Sequence, residues 1–206
     1  MYKIRGNLPG YIDLIKDSYK IVENLNVLEL ASCHGEHSNI ILSHNPLSLT
    51  ITEPHPVNYK KLKELFPNLT ILQEDAYDTL SKDTKFDVVV CCGLLYHFHS
   101  PLYFLELVAN NAQPKYFILE TFLGYNTFVP EEVNVHGNRV VLNNKKYIKT
   151  SMRLQKKTLL DSLNDLGYKC IKNIDFSEIT DIHLPKTKQN VSFFMFENVE
   201  SYGRRV

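Results

Sequence analysis

The chain has 206 residues, 44% of them hydrophobic and 22% charged, an ordinary globular composition with enough apolar material for a full core. Its 23 basic and 23 acidic residues cancel, which excludes wholesale electrostatic binding of nucleic acid and leaves that role only to a local patch. The four cysteines lack the paired spacing of a zinc site and fit a reducing cytoplasm; Met1 to Asn24 has scattered charges and no long apolar run, so neither a secretory signal nor a membrane span is expected.

In chain order, Leu8 to Asn24 is expected to be an amphipathic leading helix with Tyr11, Leu14, Ile15, Tyr19 and Val22 near one face. Strands and helices then alternate. Strands are predicted over 26–31, 48–52, 69–73, 86–91, 115–121, 168–174 and 191–197, and helices over 37–44, 56–65, 100–112 and 154–166, the last stopped at Gly167. That alternation predicts an α/β fold with a mostly parallel, Rossmann-like sheet and right-handed crossovers. The stretch Phe122 to Thr150 is too long for a routine connection and reads as a lid or substrate loop. With no internal repeat or linker, residues 1–206 read as one domain, 1–25 its leading helix and 122–150 its lid.

The segment Asn26-Val-Leu-Glu-Leu-Ala-Ser-Cys-His-Gly-Glu-His-Ser38 is the most informative. An apolar strand runs into a loop of small residues that opens a helix, the place where a nucleotide-like cofactor lies; Gly35 permits close backbone approach. Eighteen positions after Gly35 the second strand ends in Glu53, the spacing at which a carboxylate meets a ribose diol. The third strand ends in Glu74-Asp75-Ala76 and the fourth runs into Cys92-Gly93-Leu94-Leu95-Tyr96-His97. Four successive strand ends thus carry polar or small residues, where open α/β sheets bind ligands.

These residues resemble the class I S-adenosylmethionine-dependent methyltransferases, over roughly Asn26 to Asn198. Ala31 and Cys33 stand where that family usually has glycines, and Gly35 keeps the third. The run Gly93-Leu-Leu-Tyr-His97 followed by Ser100-Pro-Leu102, with Leu119-Glu-Thr121, is similar to the bacterial tRNA wobble-uridine carboxymethyltransferase branch, as kinship of the catalytic core only. The resemblance implies a seven-stranded sheet flanked by helices with an antiparallel last strand, and S-adenosylmethionine as cofactor. It implies cofactor contacts at Glu29, Ala31, Cys33, Gly35, Glu53, Asp75, Ala76 and Cys92. Glu53 would bind the ribose, Asp75 the adenine amine beside the Ala76 amide, and Glu29 would set the loop or face the amino-acid end. The plainer alternatives are a solvated strand end for Glu53, a helix cap for Asp75 and an ion pair for Glu29.

Methyl transfer from a sulfonium is an in-line displacement that needs alignment of reactants and exclusion of water, so no metal is expected. Where the acceptor must lose a proton, His97 or His99 after the fourth strand is best placed as base, with packing or capping as the alternative; Tyr96 matches a cofactor-side tyrosine of the resembling branch. His34 and His37 read as satisfied polar loop residues. The run Lys145 to Lys157 holds six basic residues and no acidic one, so it attracts an anionic small acceptor or RNA, or is a solvated face. The leading expectation is a small-molecule methyltransferase. The alternatives are an RNA-base methyltransferase, a non-catalytic relative, and an NAD-dependent oxidoreductase, which the single loop glycine disfavours.

Overall fold

The apolar runs become strands because valine, isoleucine, leucine and phenylalanine can be buried on both faces of a mostly parallel sheet. The computed structural model describes residues 11–82, 85–124, 130–132, 141–142, 145–146, 150–178 and 191–199. One sheet contains β1 Asn26–Leu30, β2 Ser48–Thr52, β3 Thr70–Leu72, β4 Val88–Cys92, β5 Tyr116–Phe122, β6 Tyr168–Asp175 and β7 Val191–Asn198. Their order is β6-β7-β5-β4-β1-β2-β3. Every pairing is parallel except those of β7, which runs antiparallel to both β5 and β6. The expected Rossmann-like sheet with a reversed last strand is therefore present. Strand order reverses between β1 and β4, which opens a crevice at their carboxyl ends.

The helices are α1 Tyr11–Ile15, α2 Glu36–Ser43, α3 Pro56–Leu65, α4 Ala76–Leu80, α5 Pro101–Leu107 and α6 Lys156–Asp165. Proline opens α3 and α5, where its missing N–H costs nothing. Leu28, Leu30, Val89, Cys91, Phe117 and Leu119 bury one sheet face against Leu80, Phe104, Leu105, Leu159 and Leu163 of α4, α5 and α6. Val27, Ile51, Val88, Val90 and Ile118 bury the other against Ile15, Tyr19 and Val22 of the leading segment, Ile41 of α2 and Leu62 of α3. Side chains alternate along a strand. Glu29, Cys92 and Glu120, each two residues beyond one of these valines or Ile118, consequently fall on the face covered by the leading segment and α2.

The leading segment corrects the expectation of one α-helix over Leu8 to Asn24. Met1 to Gly10 lie outside the described residues, α1 ends at Ile15, and Lys16–Val22 is a 3-10 helix. Its tighter turn stacks residues three apart, bringing Tyr19 and Val22 onto one line, and Asn24 at φ 58° turns the chain into β1. The sequence reading also missed α4, taking only a cap at Asp75; the signal was Asp75 with Asp78 three residues on, and the Asp75 carboxylate accepts the Asp78 N–H at 2.9 Å. Phe122 belongs to β5, and Pro130–Glu132 pairs with Thr150–Met152 and Val141–Leu142 with Lys145–Lys146. Leu123 and Gly124 continue past β5, with the Gly124 N–H donating to the Leu154 carbonyl; the rest of the expected lid lies outside the described residues.

Gly35 sits at φ 79°, and a Cβ there would lie 2.6 Å from the Phe66 ring. Gly35→Ala is expected to destabilise the fold by about 1–3 kcal/mol, with part of the loss recovered in a Phe66→Ala background, as urea-denaturation midpoints will test.

Candidate active site

The loop after β1 takes its shape from the end of β2. Ala31 and Cys33 have φ of 53° and 56°, and Gly35 follows at 79°. Ala31 and Cys33 thus hold the left-handed backbone that glycine adopts without penalty, at a cost of about 1–2 kcal/mol each. Hydrogen bonds impose that shape. The Ala31 N–H donates to Thr52 Oγ1 at 3.1 Å, the Ser32 N–H to the Thr52 carbonyl at 3.0 Å, and the Cys33 N–H to Glu53 Oε2 at 2.8 Å. The Cys33 thiol lies 3.2 Å from His34 Nδ1 and 3.9 Å from Asn58 Nδ2. Partial burial first, and the Glu53 and Glu36 carboxylates second, push that thiol up to about 11, so it is not a thiolate at neutral pH.

Two predicted cofactor carboxylates are buried beside this loop. Glu53, 4% exposed, accepts the Cys33 N–H through Oε2 and the His55 N–H through Oε1 at 2.9 Å. Glu29, 3% exposed, accepts the Ser38 hydroxyl at 2.5 Å, and Ser38 in turn lies 2.7 Å from Ser32 Oγ. Glu29 therefore ties α2 to β1 and the loop. Burial is the main cause that raises its carboxyl to about 7, opposed by the Ser38 and Ser32 hydrogen bonds and reinforced by Glu53. Asp75 is exposed and its Oδ1 caps α4, while Ala76 is buried at the first position of that helix. The cap reading of Asp75 is thus realised by one of its two oxygens.

The fourth strand delivers the remaining predicted residues to one rim. After Cys92, Gly93 at φ 71° leads into the 3-10 turn Leu95–His97. The Tyr96 ring packs edge-on against Phe122 at 4.7 Å between centroids and beside His97 at 4.3 Å. Burial pushes the Tyr96 phenol up to about 12, with the Arg153 guanidinium opposing the rise. Arg153 itself lies 5.0 Å over the Phe122 ring. Segment 150–154 is held here by hydrogen bonds from the Met152 N–H to the Phe98 carbonyl and from the Gly124 N–H to the Leu154 carbonyl. His99, two residues past this turn, is exposed.

Sequence reasoning noted Arg153 only as one charge in a run, and it missed a second group altogether. Tyr19 OH lies 2.7 Å from His37 Nδ1 and 3.5 Å from Cys92 Sγ, and His37 Nε2 lies 3.9 Å from Glu120 Oε2. These residues come from four distant segments, so no local spacing announces them. His34 and His37, read together in sequence, take different partners. Within the basic run Lys156 pairs with Asp175 at 2.5 Å and Lys157 pairs with Asp161.

Residues 28–115 match the family described as Methyltransferase domain. The N-terminal domain of EvdMO1, solved with S-adenosylhomocysteine and D-fucose, superposes with a TM-score of 0.64 at 16% identity, covering 94% of this chain and 84% of that one. The 1,6-didemethyltoxoflavin N1-methyltransferase of Burkholderia thailandensis gives 0.66 at 12% identity over 90% and 78% of the two chains. The cyclase SpnF gives 0.64 at 11% identity over 96% and 85%. At such identities these likenesses establish the fold. Among the described residues no helix is long and apolar enough to cross a membrane.

The raised carboxyl of Glu29 makes a signed prediction. Between the ordinary value of 4.5 and about 7 the folded protein holds a proton that the unfolded chain has lost. The stabilisation tied to that proton is complete below 4.5 and is lost as pH rises through about 7. Glu29→Gln is therefore expected to gain on the parent protein as pH rises across this window, measured by urea denaturation at a series of pH values.

Proposed function

We propose that this chain transfers a methyl group from S-adenosylmethionine to a small organic acceptor bearing an anionic group. A methyltransferase domain spans residues 28–115, and S-adenosylmethionine is its cofactor. The observation that carries the assignment of residues is the left-handed loop 31–35 fastened to Glu53 at the carboxyl end of β2. Ala31 and Cys33 differ from glycine in side chain but keep the backbone path, so the loop is still built to bring main chain against a ligand.

The donor set fits that cofactor. Each Glu53 oxygen accepts one backbone N–H and retains a second lone pair, which suits a vicinal diol. Asp75 offers its second oxygen to an exocyclic amine, and the Ala76 N–H, in the first turn of α4, has no acceptor within its own helix. When bound, the cofactor supplies a methyl group activated on a sulfonium. The chain's part is to align the acceptor and exclude water, with Tyr96 and Phe122 forming the apolar wall and Cys92 lying where β4 ends. His97 takes the acceptor's proton where one must leave. Arg153 presents a fixed positive charge beside Tyr96 and Phe122, which favours an anionic acceptor.

A small acceptor is favoured over RNA because Asp175 and Asp161 lie against Lys156 and Lys157 and lower the net positive charge that the run offers to a phosphate backbone. EvdMO1 was crystallised with D-fucose and the Burkholderia enzyme with 1,6-didemethyltoxoflavin, which also supports a small acceptor. SpnF is named as a cyclase, so the reaction must be read from site residues and tested directly.

Calorimetric titration with S-adenosylmethionine, S-adenosylhomocysteine and NAD is expected to give binding of the first two alone. In Glu53→Gln, affinity for S-adenosylmethionine should fall by about 1–3 kcal/mol with the circular dichroism spectrum unchanged. Unaltered affinity in that variant removes Glu53 from the cofactor site. His97→Ala should lower kcat at nearly constant cofactor affinity, because a base acts in the transition state. Methyl transfer to RNA that weakens steeply with salt, in place of transfer to small anions, would reverse the choice of acceptor.

A further inference from the structure

The geometry points to a metal site at His37, Cys92 and Glu120, suited to a single zinc ion. One ligand atom from each of these residues lies within 4.8 Å of the other two. Their supports are rigid. Cys92 and Glu120 are register partners on the adjacent strands β4 and β5, and His37 is the second residue of α2. The period-two pleat sends both strand side chains to the face on which α2 lies. A closure of about 1 Å from this spread reaches the separations in a tetrahedral site with bonds of about 2.0–2.3 Å.

The arrangement around the ligands is that of a metal-binding histidine. Such a ring makes a hydrogen bond through one nitrogen, which orients it and leaves the other to the metal. In the tautomer that binds a metal through Nε2, the His37 Nδ1–H donates to the Tyr19 hydroxyl oxygen 2.7 Å away, and Nε2 is the nitrogen turned toward Glu120, 3.9 Å from its Oε2. Tyr19 is fully buried and packs against Phe193 with ring centroids 6.3 Å apart, so the hydroxyl is fixed. Its 3.5 Å approach to Cys92 Sγ also supplies a donor to a thiolate.

The donor types choose the ion. An imidazole nitrogen, a thiolate and a carboxylate suit zinc, whereas magnesium and calcium take oxygen ligands. A dipositive ion also cancels the thiolate and carboxylate charges that this half-buried position would otherwise hold. On binding, the Cys92 S–H bond breaks, its proton passes to solvent and the sulfur pair forms the S–metal bond. Three protein ligands leave a fourth position for water or another oxygen or nitrogen donor, and the His37 side chain is 17% exposed, so the site is partly open to solvent. The competing explanation is a protonated His37 answering Glu120 directly. The site stands on its own ligands, whichever acceptor the protein methylates.

Metal-stripped protein should be titrated with Co2+ by absorption and with Zn2+ against a chromophoric chelator. Stoichiometric binding is expected, with the intense visible bands of four-coordinate cobalt and a thiolate-to-cobalt charge-transfer band. Cys92→Ser should abolish that charge-transfer band, and Cys33→Ser should retain it. His37→Asn and Glu120→Gln should each weaken Zn2+ binding at least about tenfold, and Tyr19→Phe about 10–100-fold. Absence of stoichiometric binding, a cobalt spectrum without the thiolate band, or a band that survives Cys92→Ser overturns the site. Should Cys92→Ser fail to fold, the parent protein's cobalt spectrum decides. Because these readouts are binding and spectra, their failure is distinct from failure to find methyl transfer.

Discussion

Three carboxylates, Glu29, Glu53 and Glu120, are buried to 3–4% exposure at the carboxyl edge of the sheet, and the local structure is arranged around them. A buried carboxylate is costly unless it is given donors or a counter-charge. Glu29 receives the Ser38 hydroxyl and thereby fixes α2; Glu53 receives two backbone amides and thereby fixes the loop after β1; Glu120 faces His37. The crevice is therefore held from its floor by charge, while the two apolar layers hold the sheet from either side.

This arrangement accounts for a loop that keeps its path with only one glycine. The amide bonds to Thr52 and Glu53 hold Ala31 and Cys33 in left-handed conformations. Strain of about 1–2 kcal/mol per residue persists only where neighbouring bonds over-determine the backbone. Gly35 differs because the Phe66 ring occupies the space a Cβ would need, so packing as well as torsion reserves that position.

Beyond the ends of β4 and β5, the segment carrying Arg153 is hydrogen-bonded to Phe98 and Gly124 and sets its guanidinium on Phe122, next to Tyr96. Arginine suits this position because its flat, weakly hydrated cation packs on an aromatic face without losing charge. The same sheet edge then holds two chemically different neighbourhoods. Tyr96, Phe122 and Arg153 are aromatic and cationic; Tyr19, His37, Cys92 and Glu120 are polar and ligand-like.

The sequence by itself determined the alternation of elements, the parallel sheet, the tight loop after β1 and the placement of Glu53, Asp75, Tyr96 and His97 just past strand ends, because these follow from local periodicity and from short spacings along one segment. It left the role of Asp75 between cap and ligand, and it made one long helix of the leading segment, since tertiary packing and the turn at Asn24 decide where α-helix gives way to 3-10 helix. Only the tertiary structure decided which lysines of the basic run are answered by acids and that Arg153 meets Phe122. It alone brought Tyr19, His37, Cys92 and Glu120 together. Those contacts depend on strand register and on the pleat that assigns each side chain to a face, and a one-residue change in register would send Cys92 or Glu120 to the opposite layer.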